Sequence, residues 1–205
     1  KNILFHINHI TVPEVMQVLV QDENCKIDAF LGPSHVSVIS GSKIYEEFPL
    51  SYNKPVVVSG FEPVDVMQSI SMIVKQFKEK RSDLEVEYKR LVSYEGNLKA
   101  QELINRYFKK VPFKFRGIGE VENSGYELKD EFDKYNAKIV YKDILPTQEV
   151  KENKACKCPE ILKGVAKPTD CKIFGTVCTP TNPIGSCMVS SEGACSAYYK
   201  YGNLL

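Results

Sequence analysis

The sequence has almost no net charge and no long apolar run. Its 27 basic and 26 acidic side chains leave a formal charge of +1 and are scattered along the chain. Without a basic excess there is no electrostatic reason to expect nucleic acid or a membrane surface as a partner. No apolar run reaches the roughly 18 residues of a membrane span, and no secretory signal opens the chain. We therefore expect a protein that binds neither nucleic acid nor membranes.

Cysteine is nearly absent from the first 155 residues, where Cys25 stands alone. Disulfide scaffolds usually spread their bridges through a small secreted domain, so this distribution is not typical of one. The other six cysteines lie between residues 156 and 195, in a segment with many glycines and prolines and little charge. This segregation indicates a local inorganic site in a reducing compartment, which predicts a cytoplasmic protein. Cys25 is predicted to be a bystander.

The first 145 residues alternate between short apolar runs and amphipathic stretches. This alternation predicts an α/β fold with a parallel sheet flanked by helices. The predicted strands are 2–7, 27–32, 55–60 and 84–92. Four helices are predicted: one that begins near residue 13, a short one within 32–41, and two that cover about 64–80 and 97–110. One face of the helix 64–80 is expected to be apolar. Its members are Val66, Met67, Ile70, Ile73, Val74 and Phe77.

A polar stretch at 142–155 separates this body from the cysteines. We predict an α/β domain at 1–145 and a small, loop- and helix-rich, Cys-rich iron–sulfur domain at 146–205. The stretch 113–141 is less regular, and its "GIGEVENSG" lacks the spacing and the following helix of a nucleotide-binding loop. The chain begins in an apolar run without methionine, and we expect it to be a fragment of a longer polypeptide.

Two loops that follow predicted strands carry candidate site residues. Ligands of parallel sheets lie beyond the carboxyl ends of the strands. "GPSH" (32–35) and "SGFEP" (59–63) fall at such positions and contribute His35 and Glu62. A helix-capping histidine and a helix N-terminal carboxylate favoured by the helix dipole are ordinary alternatives for these two residues.

Three chemistries compete for the six clustered thiols. Structural zinc usually binds C-x₂₋₄-C knuckles, and no pair here has that spacing. A disulfide framework conflicts with a reducing compartment. A [4Fe–4S] cluster fits better, because thiolates are its usual ligands, four of them suffice and their spacing varies. The two surplus thiols would form a redox-active dithiol, but the residues alone do not say which four bind iron.

Four segments carry specific motifs. In chain order they are "DAFLGPSHVSVISG" (28–41), "PVVVSGFEPVDVMQSI" (55–70), "FRGIGEVENSGYELKDEF" (115–132) and "DCKIFGTVCTPTNPIGSCMVSSEGACSAYYKYG" (170–202). The most specific is the last, which combines "CTPTNPIG" with "MVSSEGAC". These segments resemble the HypD family of [NiFe]-hydrogenase maturation factors.

The resemblance implies a division of the thiols. Members of the family hold a [4Fe–4S] cluster on a C-x14-C-x6-C-x16-C pattern, which this chain matches without a gap. The implied ligands are Cys156, Cys171, Cys178 and Cys195. Cys158 and Cys187 remain, and resemblance to the family and to ferredoxin:thioredoxin reductase, which pairs a cluster with an adjacent disulfide, implies that they are the redox couple.

The resemblance also implies function and partners. The family assembles the Fe(CN)₂CO unit together with HypC and HypE and delivers it to the hydrogenase large subunit. His35 and Glu62 would then face an interdomain cleft. Family members begin with a further α/β domain carrying C-G-x-H-x-H and G-P-G-C-P-V-C motifs, and this sequence contains neither. We expect the chain by itself not to support maturation.

Two other functions stay open at this point. One is a stand-alone thiol oxidoreductase of the ferredoxin:thioredoxin reductase kind. The other is a structural zinc module attached to a binding domain. Iron and sulfide content separates both iron-containing functions from zinc.

Overall fold

The computed structural model describes residues 2–145 and 153–202. Three short 3₁₀ helices accompany the elements named below, at Ser42–Tyr45, Asp130–Tyr135 and Pro168–Asp170. In chain order the α-helices and strands are α1 (Pro13–Gln21), β1 (Phe30–Pro33), α2 (Ser34–Ser40), α3 (Glu47–Tyr52), β2 (Val56–Ser59), α4 (Pro63–Lys78), β3 (Leu84–Val86), α5 (Leu98–Tyr107), β4 (Phe108–Phe115), β5 (Gly119–Leu128), α6 (Ala137–Val140), α7 (Cys158–Leu162), α8 (Ser186–Val189) and α9 (Ala194–Tyr201). Contacts divide the chain into two compact units, 27–108 and 1–26 with 109–205. None of the described helices is both long and apolar enough to cross a bilayer.

The unit 27–108 is built on a three-stranded parallel sheet in the order β1-β2-β3. Val56, Val57 and Val58 of the central strand are completely buried, because β2 has a neighbouring strand on each edge and contacts with α2 and α4. A β-branched run without charge is what such a strand requires. The predicted α/β fold, a parallel sheet flanked by helices, is confirmed. The predicted strand 84–92 is shorter than expected, since only Leu84–Val86 pairs with β2.

Helix α4 turns a different face to the sheet from the one its apolar pattern predicts. The buried positions are Asp65, Ser69 and Gln76. Met67 is 66% exposed and Phe77 is 47% exposed. Ser69 and Gln76 can be buried because each has a hydrogen-bond partner. The Ser69 hydroxyl donates to the Asp65 carbonyl at 2.8 Å. The Gln76 side chain donates to the Glu85 carboxylate and accepts from the backbone N–H of Asp83, just before β3.

The second unit contains a β-hairpin where the sequence looked irregular. Strands β4 and β5 form a two-stranded sheet joined by the turn 116–118, and α1 packs against β5. The left-handed conformation of Gly117 (φ +79°) and of Gly119 (φ +97°) makes this tight turn possible. The predicted strand 2–7 was wrong. Phe5 makes one isolated bridge, to Asn136, and is 51% exposed, so this run is not a buried strand.

The cysteine-containing part of this unit consists of loops and short helices, as predicted. Its helices α7 and α8 are five and four residues long. The predicted domain boundary between residues 145 and 146 adjoins the stretch 146–152, which lies outside the described residues. That boundary stays a prediction.

Candidate functional site

The cysteines of the C-terminal part form the centre of its core. Cys158, Cys171, Cys178, Cys187 and Cys195 are each at most 7% exposed, and half-buried Cys156 packs against them. The apolar members of the same cluster are Ile161, Met188 and, at its margin, Leu162, Ala166, Ile173, Phe174 and Ile184. All of these cysteines are free thiols. Cys25 is not part of this cluster, as expected of a bystander.

Two short helices bring Cys158 and Cys187 together across 29 residues of sequence. Cys158 is the first residue of α7, where Pro159 fits the first turn because it needs no backbone N–H there. Cys187 lies in the first turn of α8, which contacts α7. The two sulfur atoms are 2.8 Å apart, and the Cys187 sulfur is also 3.3 Å from that of Cys195. Cys158 and Cys187 are therefore close enough for thiol–disulfide exchange.

The surroundings of this pair favour negative charge on Cys158. Its sulfur accepts hydrogen bonds from the Cys187 thiol, from the Cys187 backbone N–H at 3.4 Å, and lies 3.0 Å from the Ser186 hydroxyl. These bonds, the one from the Cys187 thiol above all, lower the pKa of Cys158 to about 6. The pKa of Cys187 is raised, because its proton is held by the Cys158 sulfur and because the group is buried. Of the two thiols, Cys158 is therefore the one that more readily becomes the thiolate, which is the nucleophilic form.

The remaining four thiols have fewer partners. The Cys171 thiol donates to the Ala155 carbonyl at 3.6 Å, and the Ile184 N–H donates to the Cys178 sulfur at 3.4 Å. Burial raises the pKa of Cys156 and of Cys195. Binding of a metal to such thiols must displace their protons, which makes it depend on pH.

The clustered thiols are a donor set that an iron–sulfur cluster can use. Within residues 2–145 and 153–202, no three His, Cys, Asp or Glu side chains converge as ligands of one metal ion. A cube attaches each thiolate to a different iron, so three buried thiols and half-buried Cys156 around an apolar core suit it. Gly185 leaves room beside them, since a Cβ there would lie 2.6 Å from the Cys156 sulfur and 3.2 Å from the Cys158 Cβ.

His35 and Glu62 lie in the other compact unit, at one edge of its sheet. β1 ends at Pro33 and β2 at Ser59, and because these strands are parallel the residues that follow them share that edge. Both side chains are exposed. The His35 ring is 5.1 Å from the Phe61 ring. Glu62 precedes the first turn of α4 without capping it through its side chain. Their role in a cleft stays a prediction.

Two side-chain contacts near the candidate site residues were not predicted from the sequence, one made by Asp65 and one by Ser186. Asp65 is 4% exposed, and Arg90 Nη2 donates to both of its carboxylate oxygens, at 3.1 and 3.0 Å. Ser186 contacts the sulfur of Cys158. A carboxylate in a first helical turn and a hydroxyl beside a cysteine were the available signals, but both are common in sequences without such contacts.

Comparison with known proteins identifies one family. The family model described as HypD, hydrogenase formation hypA family, matches residues 1–202. The chain is 46% identical over 202 residues to hydrogenase maturation factor HypD2 of Bradyrhizobium diazoefficiens, covering 95% of this chain and 53% of that protein. It is 45% identical to hydrogenase maturation factor HypD of Cupriavidus necator, with 95% and 52% covered. It is 39% identical to hydrogenase maturation factor HypD of Rhodobacter capsulatus, with 95% and 52% covered. The chain therefore spans about half the length of the curated relatives it matches.

Proposed function

Because the chain belongs to the HypD family of hydrogenase maturation factors, we propose that it is the thiol-redox and iron–sulfur part of such a factor. Similarity along the whole chain to hydrogenase maturation factors supports the role in maturation. The 2.8 Å contact between the sulfur atoms of Cys158 and Cys187 is the observation that supports the assignment of the six thiols.

The four thiols outside that contact are assigned as ligands of a [4Fe–4S] cluster. They are Cys156, Cys171, Cys178 and Cys195. Their burial around an apolar core and the space beside Gly185 support the assignment. When bound, such a cluster supplies and accepts single electrons. The protein's own contribution is to keep these thiols away from solvent and to hold them next to the dithiol.

The chemistry of the dithiol is a two-electron exchange. Conversion to the disulfide removes one hydrogen from each sulfur and forms one S–S bond, so two electrons and two protons leave together. Cys158 is the sulfur poised to act first, because its hydrogen bonds stabilise the thiolate. The Cys187 sulfur contacts those of both Cys158 and Cys195, which supports a dithiol adjacent to a proposed cluster ligand.

HypC, HypE and, indirectly, the hydrogenase large subunit are the proposed partners. The Fe(CN)₂CO unit is the cargo that the complete factor assembles with them, and attachment of cyanide to iron is the step for which a nearby thiol relay is useful. His35 and Glu62 are proposed to face this cargo from the edge of the parallel sheet. The cytoplasm is the proposed compartment, because free thiols persist there.

Anaerobic reconstitution with iron and sulfide tests the cluster assignment. The protein should take up about four irons and four sulfides and show broad visible absorption. Serine at position 171 or 178 should abolish this uptake, whereas Cys158→Ser and Cys187→Ser should retain it. Colourless protein with stoichiometric zinc would instead support the zinc module. Iron loss from Cys158→Ser with retention in Cys156→Ser would exchange the roles of these two residues.

The reductase alternative shares the same dithiol and needs its own test. A stand-alone thiol reductase should pass electrons from a reduced ferredoxin-type donor to the disulfide of a thioredoxin-type protein. A maturation scaffold should instead co-purify with HypC. Reduction of the thioredoxin-type disulfide without HypC binding would favour the reductase.

A further inference from the structure

The hydroxyl of Ser186 lies between the sulfur of Cys158 and the turn of the β-hairpin. Ser186 is the first residue of α8 and precedes Cys187 in the sequence. Its Oγ is 3.0 Å from the Cys158 sulfur and 3.4 Å from the backbone carbonyl of Arg116, to which it donates. A single side chain therefore contacts both the dithiol and a strand connection 70 residues away.

The same turn contacts the residue that follows Cys158. Gly117 has a φ of +79°, and a Cβ at this position would lie 3.0 Å from the Pro159 Cγ. The turn 116–118 is therefore packed on the first turn of α7. This packing fixes the Arg116 carbonyl relative to Cys158, so the acceptor of the Ser186 hydrogen bond is held in place independently of Ser186.

The hydrogen bond between Ser186 and Cys158 favours the reduced state of the cysteine pair. The Ser186 hydroxyl has one hydrogen to give and can also accept. In the dithiol the Cys158 S–H can donate to the Ser186 oxygen while the hydroxyl donates to Arg116. If Cys158 has lost its proton, the hydroxyl can donate to the thiolate instead. The disulfide has no S–H and its sulfur is a weak acceptor, so this hydrogen bond exists only in the reduced pair.

We propose, resting on the assignment of Cys158 and Cys187 as a redox pair, that Ser186 is a positioning residue which sets the redox equilibrium of that pair. By hydrogen bonding to Cys158 it stabilises the dithiol over the disulfide, and through Arg116 it anchors this sulfur to the β4–β5 turn. Ser186 takes no part in the exchange of bonds. It determines how readily the pair is oxidised.

Equilibration with glutathione measures this effect directly. Oxidised glutathione converts the dithiol to the disulfide: the glutathione S–S bond and the two S–H bonds of the pair break, the Cys158–Cys187 bond forms, and two glutathione thiols are produced. Loss of a hydrogen bond that exists only in the reduced state should shift this equilibrium towards the protein disulfide by about three- to tenfold. Ser186→Thr, which keeps the hydroxyl, should restore most of the parent value. Ser190→Ala, at an exposed position just after α8, is the matched control and should leave it unchanged.

The experiment uses the 205-residue chain in glutathione buffers of stepped ratio, with alkylation of free thiols and mass spectrometry of the peptides that contain residues 158 and 187. Far-UV circular dichroism confirms that each variant is folded. If the parent chain never forms the Cys158–Cys187 disulfide, the redox pair itself is refuted and this inference with it. If the parent forms it and Ser186→Ala has the same equilibrium as Ser190→Ala, the redox pair stands and the role of Ser186 alone is refuted. The same holds if Ser186→Thr is as strongly shifted as Ser186→Ala.

Discussion

Replacing Gly185 by alanine should abolish binding of the proposed cluster without unfolding the protein. The added Cβ would lie 2.6 Å from the Cys156 sulfur, whereas an ordinary contact begins near 3.4 Å. The sulfur must therefore move by about 0.8 Å, which exceeds the tolerance of about 0.5 Å that a preorganised site allows. The same overlap should lower the free energy of unfolding by about 1–3 kcal/mol, as overpacking usually does.

Iron and sulfide content after anaerobic reconstitution is the assay, with urea unfolding as the measure of stability. Gly175→Ala is the matched control. Its φ of +72° makes alanine strained there, but the nearest atom to the new Cβ is 3.9 Å away and belongs to Tyr199. That variant should lose about 1–2 kcal/mol of stability through backbone strain and still bind iron. Full iron content in Gly185→Ala, or equal iron loss in both variants, would contradict the assignment of Cys156 as a ligand next to Gly185.

Three further changes test the remaining contacts. Arg90→Ala leaves the buried carboxylate of Asp65 without this partner and should lower the midpoint of urea unfolding; an unchanged midpoint would mean that the pair adds nothing to stability. Burial raises the pKa of Glu14, but its hydrogen bonds, the one to Lys110 first, and the positive charge of Lys110 together outweigh burial, so the pKa lies below its usual value of 4.5. A depressed folded-state pKa stabilises the protein above the unfolded pKa, and this is lost as pH falls through the folded value. Lys110→Ala should therefore destabilise by up to about 1 kcal/mol at pH 7 and progressively less in acid, and a difference that is independent of pH would refute this. Cys25→Ser should leave iron content and the glutathione equilibrium unchanged, and a change in either would connect Cys25 with the site.

Patterns that depend on neighbours in the sequence predicted the fold well. The uncharged run Val56–Val58 indicated a strand covered on both faces, and it is the fully buried centre of the sheet. Patterns that depend on distant partners failed. The buried face of α4 carries Gln76 because its amide bonds the side chain of Glu85 and the backbone N–H of Asp83. The periodicity of apolar residues in the helix gives no information about those partners.

The strand predicted at 2–7 failed for a similar reason. An apolar run becomes a strand only where another strand offers its edge, and among the described residues Phe5 meets only a single bridge, at Asn136. The hairpin of β4 and β5 was missed because no strongly apolar run marks it. Strand β4 has no fully buried residue, β5 has no regular alternation of buried and exposed residues, and the turn between them depends on the left-handed conformation of Gly117.

For the thiols, sequence and structure supply different information. Spacing alone left open which four of the six cysteines bind iron, and resemblance to a family divided them into two sets. The structure contributes a contact that spacing does not contain: the sulfur of Cys158, rather than that of Cys156, lies 2.8 Å from Cys187. The two cysteines are only two residues apart, but Cys158 begins α7 while Cys156 lies outside it.

The proposed redox pair and the proposed cluster ligands meet at Cys187. Cys187 lies within 3.3 Å of both Cys158 and Cys195, one from each set. If the redox pair and the cluster ligands lay apart, electrons would have to cross intervening protein. A sulfur in contact with members of both sets makes that distance short. Cys187→Ser should leave iron binding intact but remove the disulfide partner of Cys158, so that Cys158 is fully alkylated both before and after reduction of the protein. Alkylation of Cys158 that still rises on reduction would show that this sulfur is oxidised through a different partner.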